Sequence, residues 1–116
     1  MNKDVHENFK QVVVEAKEGD TQLTLKELTP VRLVKNDFYT QVEKAYEKCA
    51  SPEELKTLLG RGRAKKGMFE GDLIEGELEI GQIAGLIHEV KSVEAIVHEV
   101  ITEFDEVKNS FRQPFF

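Results

Sequence analysis

Apolar and polar residues alternate along only one stretch of this 116-residue chain, which limits how much sheet it can form. The stretch runs from Thr21 to Lys35 and is interrupted by Thr29 and Pro30, which predicts two short antiparallel strands joined by a turn. Elsewhere the apolar residues recur at intervals of three and four, the pattern of amphipathic helices. We therefore predict an α+β fold, mainly α with one β-hairpin, that has too few strands to close a barrel.

Polar capping residues mark the starts of the predicted helices. The first helix is expected to run to about Glu18, and the third is expected to end at Gly60 in a left-handed conformation. The third start is the clearest, because a serine at the cap is followed by proline and, three positions on, by a carboxylate that can accept from a free backbone amide. The predicted N-caps are Asp4, Asn36 and Ser51, and the last helix is expected to begin from Ser92.

The same spacing predicts which side chains are buried. Leu23 and Leu25 alternate with polar neighbours and share one face of the first strand. Cys49 ends an apolar helical stripe that begins at Phe38, so a small buried residue is a better interpretation than a catalytic nucleophile. The last helix is expected to bury one whole side on the rest of the fold, through Val93, Val97, Val100, Phe104, Val107 and Phe111.

Charge and composition exclude several classes of partner. The chain carries 16 Lys and Arg against 22 Asp and Glu, a net charge of −6, and its basic residues cluster only between Arg61 and Lys66. Such a chain lacks the extended positive face that nucleic acid or an anionic membrane requires. No apolar run approaches the roughly 20 residues that span a bilayer. A single cysteine forms no internal disulfide, so a cytoplasmic location is expected.

Neither a metal site nor a standard phosphate loop is indicated. Each of the three His-Glu pairs lacks the second histidine, four positions on, that a zinc protease motif requires, so no metal is expected. Segment 60–67 is rich in glycine and in lysine or arginine but matches no phosphate-binding fingerprint. Segments of this composition are more often solvated turns than anion-binding sites. Gly81 precedes a short apolar helix that could present its amides to an anion or cofactor, or could simply pack closely.

Glycine is concentrated in the second half of the chain, where Gly60 to Gly85 contains seven of the eight glycines. Within it, Gly71-Asp72, Gly76 and the block Gly81-Gln82-Ile83-Ala84-Gly85-Leu86-Ile87 resemble the carboxy-terminal end of the nitronate monooxygenases, formerly 2-nitropropane dioxygenases, and of the related flavin-dependent enoyl-acyl-carrier-protein reductases. Two upstream blocks, HENFKQVVVEAKEGDT and LTPVRLVKNDF, extend the resemblance, which covers roughly residues 4 to 105.

The resemblance implies a fold and a division of the chain. Members of that family have an FMN-binding (β/α)₈ barrel with a smaller, mostly helical domain over its mouth, where the active site lies. This chain would be the last third, comprising cap domain and carboxy-terminal helices. The implied segments are a barrel-type helix at 1–19, a hairpin and helical cap domain at 20–70, a return segment and carboxy-terminal helices at 71–110, and a tail at 111–116.

The resemblance also implies site residues. Gly81 and Gln82 would lie beside the flavin and substrate pocket as cofactor-binding residues, and the hairpin around Arg32 would lie near the entrance. No catalytic residue is assigned, since the histidine that the monooxygenases use to abstract a proton is expected upstream of residue 1. The chain departs from many relatives at Glu77 and Glu79, where they carry a small polar and an apolar residue, so the substrate is not carried over.

The implied function is that of a carboxy-terminal fragment of an FMN-dependent oxidoreductase resembling nitronate monooxygenase. The whole enzyme would oxidise alkyl nitronates or a similar small carbon acid, or reduce its flavin with NAD(P)H. The fragment alone is expected to bind FMN weakly, to be inactive, and to self-associate through apolar stripes that a barrel would cover. The alternative is a stand-alone acidic helical interaction module without a cofactor.

Overall fold

A computed structural model describes residues 4–112, and it contains one hairpin among helices. Strands β1 (Thr21–Thr24) and β2 (Val31–Val34) pair antiparallel, with Thr21 opposite Val34 and Thr24 opposite Val31. The helices are α1 (Glu7–Glu15), α2 (Asp37–Glu47), α3 (Pro52–Leu59), α4 (Arg63–Met68), a 3₁₀ helix (Gln82–Leu86) and α5 (Val93–Ser110). The mainly helical α+β prediction with one hairpin is confirmed. Positions 113–116 of the predicted tail, and 1–3 of the first predicted segment, lie outside the described residues.

The core lies where the hairpin meets α2 and α3. Buried side chains from these elements form one cluster, which consists of Leu25, Leu33, Phe38, Val42 and Leu55. Residues 71–80 then return along the open edge of β2, where the Val34 amide donates to the Leu78 carbonyl at 2.9 Å and Leu33 bridges to Glu79. Leu78 is itself buried, so this return segment closes one side of the hairpin.

Two of the three predicted caps are confirmed, since Asn36 accepts from the Tyr39 amide and Ser51 and Glu54 form a reciprocal capping box. The last helix also begins where predicted, and Ser92 caps it by accepting from the Ala95 amide. Gly60 has the predicted positive φ, 64°, although its ψ of −153° is extended rather than left-handed helical.

The first cap and the length of the first helix were predicted wrongly. His6, not Asp4, caps α1, because its Nδ1 accepts from the Asn8 amide at 3.0 Å. The His6 amide donates to the Met68 carbonyl at 2.7 Å, which holds the chain extended at residue 6. The helix also ends at Glu15 rather than near Glu18, because Ala16 is already extended.

Two burial predictions are wrong near turns. Leu25 is buried, but it lies beyond the end of β1 and has a φ of 54°. Because the backbone turns there, Leu25 does not share a face with Leu23, which is exposed. Cys49 is exposed and also has a positive φ, 55°, because α2 ends at Glu47 and the chain turns before reaching it. In both cases a turn changes the direction of a side chain that periodicity assigns to the interior.

The third burial error concerns α5. It begins and spans as predicted, yet none of its residues is buried within the part of the chain that the structure describes. Phe104 is 66% exposed and Val93 77% exposed. The expected packing of its apolar side on the rest of the fold is therefore wrong for residues 4–112. None of the helices in that span is long and apolar enough to cross a membrane.

Candidate functional site

A cleft of about 350 Å³ lies between the α1–β1 connection, strand β2 and the 3₁₀ helix. It brings together Gly81, Gln82 and Arg32, the residues to which the sequence resemblance assigned a pocket and its entrance. Lys17, which no sequence pattern indicated, lines the same cleft. Its place there depends on the path of the connection after α1, and no spacing rule reveals that path.

Arg32 is half-buried on β2, and one nitrogen of its guanidinium, Nη1, is hydrogen-bonded to the protein. Its Nη1 donates to the carbonyl oxygen and the Oγ1 of Thr21 on the paired strand, at 3.4 and 3.3 Å. No other hydrogen bond or ion pair joins this guanidinium to the described residues. Because a guanidinium carries five donors, most of them remain available in the cleft for an anionic or carbonyl group.

Gly81 is a glycine that the local fold does not require. Its φ of −80° and ψ of 167° suit any residue, and a β-carbon built there would meet only the Ile83 Cγ2 at 4.0 Å. At Gly85 a β-carbon would make ordinary van der Waals contact with the backbone of Glu18 and Lys17, at 3.6 and 3.8 Å. Close packing therefore does not require glycine at residue 81, which leaves open space on the cleft.

Gln82 is exposed at the first position of the 3₁₀ helix. Its amide makes no hydrogen bond to any described residue, and the helix start has no side-chain cap. Gln82 therefore does not cap a neighbouring backbone group among the described residues. The side-chain amide of Gln82 lines the cleft, has no hydrogen-bond partner among the described residues, and can both donate to and accept from a ligand.

The basic segment 60–67 has a structural role at its central residue. Arg63 begins α4 and donates to the carbonyls of Leu59 and Glu75, at 2.9 and 2.7 Å, while its guanidinium lies 4.3 Å from the centre of the Phe38 ring. This side chain joins α3, the return segment and the core. The segment does not line the cleft, so it supplies no phosphate loop there.

Glu77 and Glu79 also lie away from the cleft lining. Glu77 is only 7% exposed, whereas Glu79 is exposed. Burial, reinforced by hydrogen bonding and charge from the Glu79 carboxylate, raises the pKa of Glu77 to about 7 from its ordinary 4.5. Neither of these two carboxylates therefore opposes an anion in the cleft, although Glu18 lines it and contributes a negative group. Among residues 4–112 no group of three or more potential metal-ligating side chains comes together.

Comparison with known proteins gives matches among solved structures but none among protein families or curated proteins. Among solved structures, FabK from Thermotoga maritima is 32% identical with a TM-score of 0.81, over 94% of this chain and 34% of FabK. A methionine-to-alanine mutant of that FabK matches at 29% identity and a TM-score of 0.74, over 94% of this chain and 32% of the mutant. The chain thus spans about a third of the length of the FabK structures it matches.

Proposed function

We propose that this chain is the carboxy-terminal part of an FMN-dependent oxidoreductase, and that its cleft borders the flavin and the substrate. FabK is an FMN-dependent enoyl-acyl-carrier-protein reductase related to the nitronate monooxygenases, so the structural likeness supports the flavin-enzyme family inferred from the glycine blocks. The observation that carries the proposal is the meeting of Gly81, Gln82 and Arg32 at one cleft. Arg32 is distant in sequence from Gly81 and Gln82, and the pairing of the return segment with β2 at Leu33 and Glu79 brings them to the same cleft.

The cleft residues fit part of a flavin rather than all of it. The missing β-carbon at Gly81 permits a planar ring to approach the backbone, and the free Gln82 amide can hydrogen-bond a ring edge that both donates and accepts. No glycine-rich loop opening onto a long helix lines the cleft, so the phosphate would be held elsewhere in the larger protein. Flavin supplies the electron transfer in such enzymes, while these residues supply position and electrostatics.

The finer reaction class is also part of the proposal. Arg32 and Lys17 line the cleft together with one acidic residue, Glu18, so the lining has two positive groups and one negative group. The two positive groups suit either an alkyl nitronate or a carbonyl that gains negative charge during reduction. The likeness to FabK favours NAD(P)H-linked reduction over nitronate oxidation. The interaction-module alternative draws its support from the exposed face of α5, and that face is compatible with a fragment of an enzyme as well.

A chimera tests this proposal. The matching third of Thermotoga maritima FabK is replaced by this chain, and FMN retention and NAD(P)H oxidation are measured after gel filtration. The chimera is expected to retain FMN, whereas this chain alone retains little because it lacks the phosphate site. Gln82→Ala in the chimera is expected to lower flavin affinity or turnover more than about tenfold, or roughly 1.4 kcal/mol.

Gln22→Ala is the matched control, because Gln22 is exposed on β1 and does not line this cleft. It should leave both measurements unchanged. A folded chimera without FMN, or equal behaviour of the two glutamine variants, would refute the proposed site. Stoichiometric FMN on the isolated chain would also contradict it, since the whole binding site would then lie within these residues.

A further inference from the structure

Arg32, which lines the cleft, has an unused edge on its guanidinium. Nη1 is the nitrogen that bonds Thr21, so the N–H groups on Nε and Nη2 are left without a partner among residues 4–112. These two N–H groups point the same way in a guanidinium and match two oxygens of one anion. No carboxylate of the described chain forms an ion pair with Arg32, although its side chain is half-buried. Because burying an unpaired charge is costly, we expect this side chain to have an anionic ligand.

Lys17 lines the same cleft from the turn that joins α1 to β1. Two hydrogen bonds close this turn, from the Lys17 amide to the Asp20 Oδ2 at 2.8 Å and from the Asp20 amide to the Lys17 carbonyl at 3.1 Å. The Asp20 carbonyl accepts from the amide of Lys35, directly after β2, at 3.0 Å. The backbone of Lys17 is therefore tied to the hairpin that carries Arg32. The Lys17 ammonium itself has no partner in the described part of the chain.

The acidic groups near the cleft do not neutralise these two cations. Glu18 lines the cleft, but it forms no ion pair with Lys17 or Arg32 within the described residues. The Asp20 carboxylate accepts from the Lys17 backbone amide and does not line the cleft. Two cations and one carboxylate leave the lining with a net positive charge, and the free Gln82 amide adds a neutral donor. The cleft is therefore suited to an anion.

We propose that the cleft binds a phosphate group of an organic substrate, with the Arg32 guanidinium on two of its oxygens and the Lys17 ammonium on a third. A pyrophosphate carries charge on several oxygens that point in different directions, so it can use both cations and the Gln82 amide. A nitronate, or a carbonyl that gains charge, has its oxygens in one plane, and the paired N–H groups of Arg32 alone would satisfy it. The second cation therefore favours a phosphate.

NAD(P)H is the source of phosphate that fits the proposed function, and this identification of the ligand rests on that function. Its pyrophosphate is joined to the nicotinamide through a single ribose. A nicotinamide ring that meets a flavin beside Gly81 and Gln82 would therefore leave the pyrophosphate close by, in the part of the cleft lined by Arg32 and Lys17. An enoyl substrate carried on a phosphate-bearing thiol would present the same chemistry to the cleft.

Titration of the chain with inorganic pyrophosphate tests the site without any flavin. At constant ionic strength, amide NMR signals around the cleft should shift and saturate. Arg32→Lys keeps the charge but removes the paired N–H groups, so it should weaken binding about tenfold or more. Lys17→Gln, on an exposed residue, should weaken it about threefold or more. Arg61→Gln is the control, because Arg61 is exposed outside the cleft, and it should bind pyrophosphate as the wild type does.

Flavin reduction in the chimera with Thermotoga maritima FabK identifies the source of the phosphate. NADH and 1-benzyl-1,4-dihydronicotinamide donate the same hydride, but only NADH carries phosphate. Arg32→Lys should slow reduction by subsaturating NADH about tenfold or more and change the rate with the benzyl compound less than about twofold. If the variant instead slows only reoxidation by an enoyl-coenzyme A thioester, and not by a phosphate-free enoyl thioester, the phosphate site serves the acceptor.

The two experiments separate the phosphate site from the proposed function. A chimera without FMN refutes the flavin proposal, whereas pyrophosphate titration of the chain still decides the phosphate site. Acetate, a planar anion with one charge, should bind at least about tenfold more weakly than pyrophosphate. The phosphate site is overturned if pyrophosphate does not saturate the cleft, if acetate binds equally well, if Arg61→Gln weakens binding as much as Arg32→Lys, or if Arg32→Lys slows both reductants equally.

Discussion

Gly67 in α4 and Gly76 in the return segment are in direct backbone contact. A β-carbon on Gly76 would overlap the Gly67 α-carbon and the Asp72 carbonyl oxygen, and one on Gly67 would lie 2.6 Å from the Leu78 Cδ2. Both glycines are buried. The crossing of α4 over the return segment is therefore possible only without side chains at these two positions, which gives part of the glycine-rich region a packing role.

Gly76→Ala is expected to destabilise the chain by about 2 kcal/mol or more, since backbone atoms must move to admit the methyl group. Urea unfolding followed by circular dichroism measures the change. Gly81→Ala is the matched control, because its β-carbon would meet open space at a compatible φ, and it should be neutral or about 0.5 kcal/mol more stable. Equal effects of the two substitutions would contradict the close backbone contact.

Asn36 is expected to matter more as a donor than as a cap. Its Nδ2 donates to the carbonyls of Leu73 and Gly76 at 2.9 and 2.8 Å, and its Oδ1 accepts from the Tyr39 amide. Asn36→Asp keeps the cap but places a carboxylate against two carbonyl oxygens. Thermal unfolding should show a loss of about 2 kcal/mol or more, compared with about 1 kcal/mol for the cap-only Ser92→Ala. Wild-type stability in Asn36→Asp would rule out this role.

Arg63→Lys is expected to destabilise the fold although it conserves charge. The guanidinium donates in several directions at once and stacks on Phe38, and a lysine ammonium cannot reproduce this planar geometry. A loss of about 1 to 3 kcal/mol in chemical denaturation is expected. Arg61→Lys on the exposed loop is the control and should change little. If both variants behaved alike, charge rather than geometry would account for the contribution of Arg63.

Stability is expected to fall as pH rises from about 4.5 to about 7, through the titration of Glu77. The folded chain raises the pKa of Glu77, so it binds more protons than the unfolded chain within that window, and deprotonation favours unfolding. The contribution is present below pH 4.5 and is lost above about pH 7, on the order of 1 to 3 kcal/mol. Melting temperatures at several pH values measure it.

Glu77→Gln should flatten that pH dependence and make the chain more stable than wild type at pH 8. Burial is the main cause of the raised pKa of Glu77; Glu79 adds to it by opposing ionisation, and Arg63 acts against it. Glu70→Gln, on an exposed residue, should keep the wild-type profile. A profile for Glu77→Gln that still slopes downward between pH 5 and 7 would assign the effect to another group.

The sequence determined the features that depend on neighbours within a few residues. Asn36, Ser51 and Ser92 start helices as predicted, because a cap needs only its own side chain and an amide two or three positions on. The hairpin follows from alternation around Thr29 and Pro30 in the same way. The glycine blocks also indicated Gly81 and Gln82, although only through resemblance and not through any physical rule.

The tertiary structure decided whatever depends on segments far apart in the chain. His6 replaces Asp4 as a cap because Met68, in another helix, fixes its backbone. Arg32 lies near Gly81 because the return segment pairs with β2 at Leu33 and Glu79. The apolar side of α5 shows the limit most plainly. Its periodicity predicts an apolar face, but which surface covers that face depends on atoms outside the helix, since the hydrophobic effect favours burial without specifying a partner.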